Sequence, residues 1–177
     1  MACAYTQDYV RSCEDSYGGV NVVYLMEYDN LAAGQSSIAV TAGVVTGITK
    51  ATGKKFRKYE LVAHTAEGNE DMAHSREMGT TEVKQSLKFP INKMTVAVRN
   101  ELMIGRQIRH LIVFVDENGS GWLYGYDYGL TMSTVGAKTG VKLADRNGYE
   151  IAFEGEEKAL ALNVDSTTLG TLQTAGS

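Results

Sequence analysis

The chain is poor in proline, cysteine and histidine. Its 177 residues include one proline, two cysteines and three histidines. A single proline excludes a collagen-like or proline-rich design. Two cysteines exclude a disulfide-dense scaffold. His64, His74 and His110 do not fall at metal-ligand spacing, and neither Cys3 nor Cys13 joins one at a zinc-like interval, so no metal site is expected. No apolar run approaches the ~18 residues of a membrane span. Met1 to Val10 has neither a basic nor an apolar region, so neither an export signal nor a lipid anchor at Cys3 is expected. Without export the two thiols are expected to be free, although a Cys3–Cys13 bond stays open. Walker loops, HExxH and GxSxG are missing as well. Gly119-Ser120-Gly121 lies in a turn between strands, without the helix N-terminus that would hold a phosphate.

What is present describes a folded β domain. Hydrophobic residues make up 44% and charged residues 21%, enough for a sizeable core at this length. Nineteen glycines and ten tyrosines, with frequent Val and Thr, favour strands over a helical bundle. No repeat, low-complexity block or linker divides the chain, so residues 1–177 are read as one domain. Residues 1–19 form an irregular arm and residues from Ser166 on a small, polar tail.

Between these ends the pattern alternates strands and turns. Val20 to Tyr28 is a strand with Val22, Tyr24 and Met26 on one face. Ile38 to Ile48, broken by Gly43 and Gly47, is two short strands or one bulged strand. Phe56 to Thr65 follows the turn at Thr52–Lys55. Residues 66–79 are the most polar stretch, either a solvated loop or a loop or hairpin that orders against another subunit. Thr80 to Phe89 alternates as a half-exposed strand that Pro90 closes. Residues 92–108 are the one helix candidate, with Asn92 as N-cap and Met94, Ala97, Val98, Leu102 and Ile108 in one stripe. Glu101 falls inside that stripe. Leu111 to Val115 is apolar on both faces and reads as a central strand. Trp122, Tyr124, Tyr126 and Tyr128 line one face of the next strand. Asn147-Gly148 is expected to turn a hairpin of type I′ between Val141–Ala144 and Tyr149–Phe153. Leu160 to Val164 is the last strand.

No group of residues matches a catalytic constellation. Glu154, Glu156 and Glu157 cluster near Asp165, and Asp8, Glu14 and Asp15 near the start, but such carboxylates are more often solvated loop charges. No enzyme activity and no cofactor are expected. The formal net charge of −4 argues against holding nucleic acid by phosphate neutralisation. Charge is nevertheless segregated. Lys50, Lys54, Lys55, Arg57 and Lys58 put five cations in nine residues. Lys84, Lys88, Lys93, Arg99, Arg106 and Arg109 make the following strand–helix unit basic. Acidic residues, Glu70 and Asp71 among them, concentrate in 67–77 and 145–157. Segregated runs of opposite sign suit a subunit that docks head-to-tail onto copies of itself. Glu101, Lys50, Lys54, Lys55, Arg57, Lys58, Glu70 and Asp71 are the candidate interface residues. Glu101 is expected to meet a cation of a neighbour.

The C-terminal third resembles tail tube proteins of tailed bacteriophages. The residues that carry the resemblance are Gly121-Trp122-Leu123-Tyr124-Gly125, Gly129-Leu130-Thr131, Thr139-Gly140, Asp145-Arg146-Asn147-Gly148-Tyr149-Glu150 and Glu156-Glu157-Lys158-Ala159. The opening, from Met1-Ala2-Cys3 through Cys13 to Gly18-Gly19-Val20, is similar to structural proteins of phages of Bacteroidetes-type hosts. The resemblance implies a mainly β fold, with two sheets closed into a sandwich or barrel and one flanking helix, as in the tube protein of the type VI secretion system. It implies hexameric rings that stack head-to-tail into a tube in the virion tail. Phage DNA would pass through the lumen without specific binding, and other tail proteins would be partners. A tail terminator, a connector, a head decoration protein and a monomeric ligand-binding β-sandwich are the alternatives. In the last of these, the row Trp122, Tyr124, Tyr126, Tyr128 would be the platform.

Overall fold

A computed structural model describes residues 8–11 and 13–176. Cys3, and with it the question of a Cys3–Cys13 bond, lies outside the described residues, while Cys13 is exposed. The described residues are mainly β. Twelve strands run in order: β1 (Val20–Glu27), β2 (Ala32–Gln35), β3 (Ile38–Thr41), β4 (Val44–Ile48), β5 (Arg57–Glu60), β6 (Glu67–Ser75), β7 (Thr80–Asn92), β8 (Arg109–Asp116), β9 (Gly121–Tyr124), β10 (Leu130–Lys138), β11 (Gly148–Glu157) and β12 (Leu162–Val164). Two helices, α1 (Val96–Gly105) and α2 (Ser166–Thr171), complete the fold.

Strand β8 organises the sheet. Its residues 111–114 are all buried, as the two-sided apolar pattern requires of a central strand. One side of β8 pairs antiparallel with β1 along its whole length. The other side is shared. β9 pairs with Ile112–Val115 and β10 with Arg109–His110. The sheet therefore forks at β8. One branch runs β9–β12–β4–β3, with β12 and β4 parallel, and the other runs β10–β11–β7–β6. Strand pairing joins the elements into one open, mixed sheet, and the mainly β expectation holds at that level.

Each face of β8 carries its own core. Ile112 and Phe114 pack with Val23, Leu25, Leu87, Phe89, Ile151 and Phe153. Leu111 and Val113 pack with Met26, Val45, Phe56, Leu123, Val164 and Leu172. The first cluster joins both branches, because Tyr124 of β9 lies in it with Leu87, Phe89, Ile151 and Phe153 of β7 and β11. Gly68 of β6 comes close enough to β8 that a Cβ there would sit 3.2 Å from the Phe114 ring.

Several expectations are corrected locally. Residues 66–79 are not a solvated loop but belong to a hairpin, one of the forms expected for them. β6 and β7 make a nine-pair antiparallel hairpin within the chain. Pro90 does not end β7, which pairs with β11 through Asn92. The helix is shorter than 92–108 and is capped by Thr95, whose hydroxyl accepts from Val98 N, not by Asn92. The type I′ turn is at Ala42-Gly43, where φ is 51° and 82°, between the paired Thr41 and Val44. Asn147-Gly148 is not a hairpin turn, because Gly148 is the first residue of β11 and pairs with both Lys138 and Asn92. The tail is not loose either. Asp165 caps α2 by accepting from Thr167 N at 3.0 Å, Leu172 is fully buried, and Gly176 N donates to Lys54 O at 2.9 Å.

Gly148 is required by close approach, not by backbone angle. A Cβ there would strike the carbonyl oxygen of Ile91 in the neighbouring strand. Gly148→Ala is expected to lower stability by roughly 2 kcal/mol, the cost of overpacking a fitted backbone contact. Gly136→Ala, where a Cβ meets open space, should stay within about 0.5 kcal/mol of wild type. Chemical denaturation midpoints of the two variants check the contrast.

Candidate assembly surfaces

The candidate interface residues fall into three settings. Lys50 belongs to none of the surfaces. It is buried, and its Nζ donates to Thr171 O at 2.7 Å and Leu172 O at 3.4 Å, the last carbonyls of α2. A cation there complements the helix C-terminus. Burial holds its pKa below the ordinary lysine value. Glu70 is likewise engaged within the chain. Its Oε1 accepts from Gln85 Nε2 and from Ala161 N, both at 2.8 Å. Both residues make framework contacts within the chain.

Glu101, Lys54, Lys55 and Arg57 are exposed, and all four line one cleft of about 210 Å³ between α1 and the β1–β5 edge. Three of the cations expected to meet Glu101 from a neighbour therefore line the same cleft as Glu101 in its own chain. The apolar stripe of α1 turns Leu102 into the core while Val96 and Ile104 face water. Glu101 thus sits on a half-buried helix at the cleft mouth, where a carboxylate stays hydrated. His110 forms part of the cleft wall beneath. Its Nε2 donates to Gly105 O at 2.9 Å and its ring meets Phe153 edge-on at 5.0 Å between centroids. Burial pushes its pKa below the ordinary histidine value. Lys58 is on the other face of β5, paired with Glu60 at 2.8 Å; both are exposed, so the pair adds little. Asp71 is exposed on β6 opposite Lys84.

The residues 125–129, where the sheet forks, are held by groups that the sequence pattern did not single out. Glu157 is buried and accepts from Asp127 N at 2.6 Å and Tyr128 N at 3.1 Å. Its pKa is pushed up, because desolvation outweighs those donors. The Tyr28 hydroxyl donates to Asp127 O at 2.9 Å, and Gly125 N donates to Gln85 Oε1 at 3.0 Å. From the sequence, Glu157 reads only as one of a cluster of carboxylates near Asp165.

Family models, curated proteins and solved structures were compared with the chain, and none matches.

The aromatic row does not survive as a platform. Gly125, at φ 81°, breaks it. Trp122 and Tyr124 pack in the first core and Tyr126 against the second, leaving Tyr128 half-exposed with the Lys158 ammonium over its ring. No group of three or more His, Cys, Asp or Glu side chains is placed to hold a metal among the described residues. Nor is any described helix long and apolar enough to cross a membrane.

What the surface does offer is unpaired strand edge. β6 ends its branch with nine residues whose outer edge has no strand partner among the described residues, and β3 ends the other with four. Such edges are templates for pairing with another chain.

Two measurements follow. Lys50→Met keeps the buried stem and removes the ammonium from the Thr171 and Leu172 carbonyls, which keep only Thr174 N and Phe56 N as donors. The expected cost is roughly 1–2 kcal/mol, with faster hydrogen exchange at Phe56 N, which donates to Leu172 O. His110 stays neutral in the fold at pH values where the unfolded chain takes up a proton. Its contribution is therefore lost as pH falls below about 6.5. Stability measured from pH 8 to pH 5 should decline less for His110→Gln, which retains a donor for Gly105 O, than for wild type.

Proposed function

We propose that the protein is a self-assembling structural subunit of the tail-tube kind, a virion protein that closes into rings and stacks into a tube for DNA passage. The observation that carries the reading is the long free edge of β6, nine residues without a strand partner among the described residues. An open sheet with a nine-residue free edge is an aggregation hazard in a monomer. Pairing that edge with a neighbour in a closed ring removes the hazard and repeats around a symmetry axis. The β6 outer face supports this role, with Glu67, Asn69 and Asp71 exposed and opposed by Lys88, Ser86 and Lys84 of β7. Polar side chains there keep the free subunit soluble while its backbone groups await a partner. The mainly β fold is compatible with the resemblance. A net negative chain is suited to a lumen that does not adsorb phosphate. The hexameric symmetry is taken from the resemblance alone. The assembly acts by geometry, without a cofactor.

A ligand-binding sandwich is the weaker reading, because its aromatic platform is divided between two cores.

Light scattering across a concentration series and negative-stain microscopy test the assembly reading. Wild type is expected to gain mass with concentration and to show annular or tubular particles. Asn69→Lys with Ala73→Lys adds charge along the exposed β6 strand and should leave the unfolding midpoint unchanged while abolishing the annuli. A wild-type chain that keeps monomer mass at about millimolar concentration overturns the reading.

A further inference from the structure

We propose that unlike ends of the β10–β11–β7–β6 branch bind each other in successive copies of this chain. The tip of the β6–β7 hairpin, through Met72 and Met78, seats against the Val141–Leu143 loop of the next copy. The inference rests on the self-assembly reading and names its second, axial contact.

The loop between β10 and β11 holds apolar side chains out in water. Val141 and Leu143 are 98% and 107% exposed, yet the backbone beneath them is tied down. Asp145 Oδ2 accepts from both Val141 N and Lys142 N at 2.8 Å, and Asp145 N donates to Lys142 O at 3.0 Å. Those two donors hold the Asp145 carboxyl below the ordinary aspartate range. Gly140 is left-handed at φ 73°, and a Cβ there would strike Asp145. At the base, Lys93 N donates to Asn147 O at 2.7 Å. A loop fixed from within that presents two branched aliphatic side chains is a preformed contact, with less ordering entropy to lose on binding.

The hairpin tip offers a matching group. Met78 is 78% exposed at the turn and Met72 61% exposed on the adjoining strand. Methionine suits a contact of this kind, because its flexible thioether moulds to an irregular apolar partner.

Strand register places the two groups at opposite ends. β7 starts at the hairpin tip and runs thirteen residues to Asn92, which pairs with Gly148 beside the loop. That separation is roughly 40 Å. Charge favours tip against loop over like against like. Glu82 and Lys138 are already paired with Lys84 and Glu150, which leaves Asp71 and Glu77 against Arg76 at the tip and Lys142 and Arg146 against Asp145 at the loop. Tip-to-tip contact would oppose carboxylates, and loop-to-loop contact would oppose cations. A tip-to-loop pair leaves one free tip and one free loop, so the contact is heterologous and propagates.

The test uses the full chain with Met78→Asp or Leu143→Asp. Both positions are exposed, so unfolding midpoints should match wild type. Light scattering and microscopy should show that either variant alone loses long stacks while annuli persist. A mixture of the two unites one intact tip with one intact loop, so short, terminated stacks should return and long ones should not. Raising salt from 50 to 500 mM should weaken wild-type stacking by about tenfold or more, because the charges are exposed. Long stacks in both variants overturn the inference and leave the ring reading standing. So does loss in Leu143→Asp alone, which would place the loop against a different surface or a different protein. A wild type that is monomeric throughout overturns both.

Discussion

One buried carboxylate fixes the architecture. Glu157 is 4% exposed and takes the peptide N–H groups of Asp127 and Tyr128. Those peptides lie where the chain leaves β9 and re-enters the sheet as β10. A buried anion is costly unless backbone dipoles and donors replace the lost water. Here several donors do so, and the result is a fixed branch point. Tyr28, from beyond the end of β1, anchors the same peptides from the other side, and Gln85 of β7 holds Gly125. Groups from three separate parts of the chain thus agree on a single backbone path. The forked sheet follows from that agreement.

The fork also explains why a chain of this size carries two cores. β8 is buried on both faces, and each branch covers one of them. The branch through β11 and β7 brings Phe89, Ile151 and Phe153 onto the face of Ile112, while the C-terminal segment brings Leu172 onto the face of Val113. Lys50 locks that segment by donating to the α2 carbonyls. A cation that would otherwise join an exposed basic run is consumed by the fold. The free edges and the exposed apolar ends remain outside these constraints. They are therefore the parts of the molecule that the proposed assembly would use.

Elements whose burial depends on local period were legible in the sequence. β7 alternates Val83, Gln85, Leu87 and Phe89 inward, and β8 is apolar on both faces, because side-chain direction in a strand follows from position alone. The turn that holds Gly119 and Ser120 was equally plain, and Asp116 Oδ1 closes it by accepting from Asn118 N and Ser120 N. By contrast, the polar stretch 66–79 concealed a strand. β6 is an edge, so its side chains need not be apolar, and its pairing energy comes from backbone groups that carry no sequence signature.

The sequence by itself determined a glycine-punctuated β domain, the central strand, the helix that includes Leu102, and the segregation of charge. All of these are properties of neighbouring residues. Only the tertiary structure decided that Lys50 and Glu70 serve the framework, that Glu101 lines the same cleft as three cations of its own chain, and that Gly148 is demanded by Ile91. It also decided that the aromatic row divides between two cores. Each of these depends on a partner tens of residues away, which hydrophobic period and turn chemistry do not encode. The physical reason is that burial and hydrogen-bond satisfaction are settled by what packs across the sheet, and the fork at β8 brings those partners together.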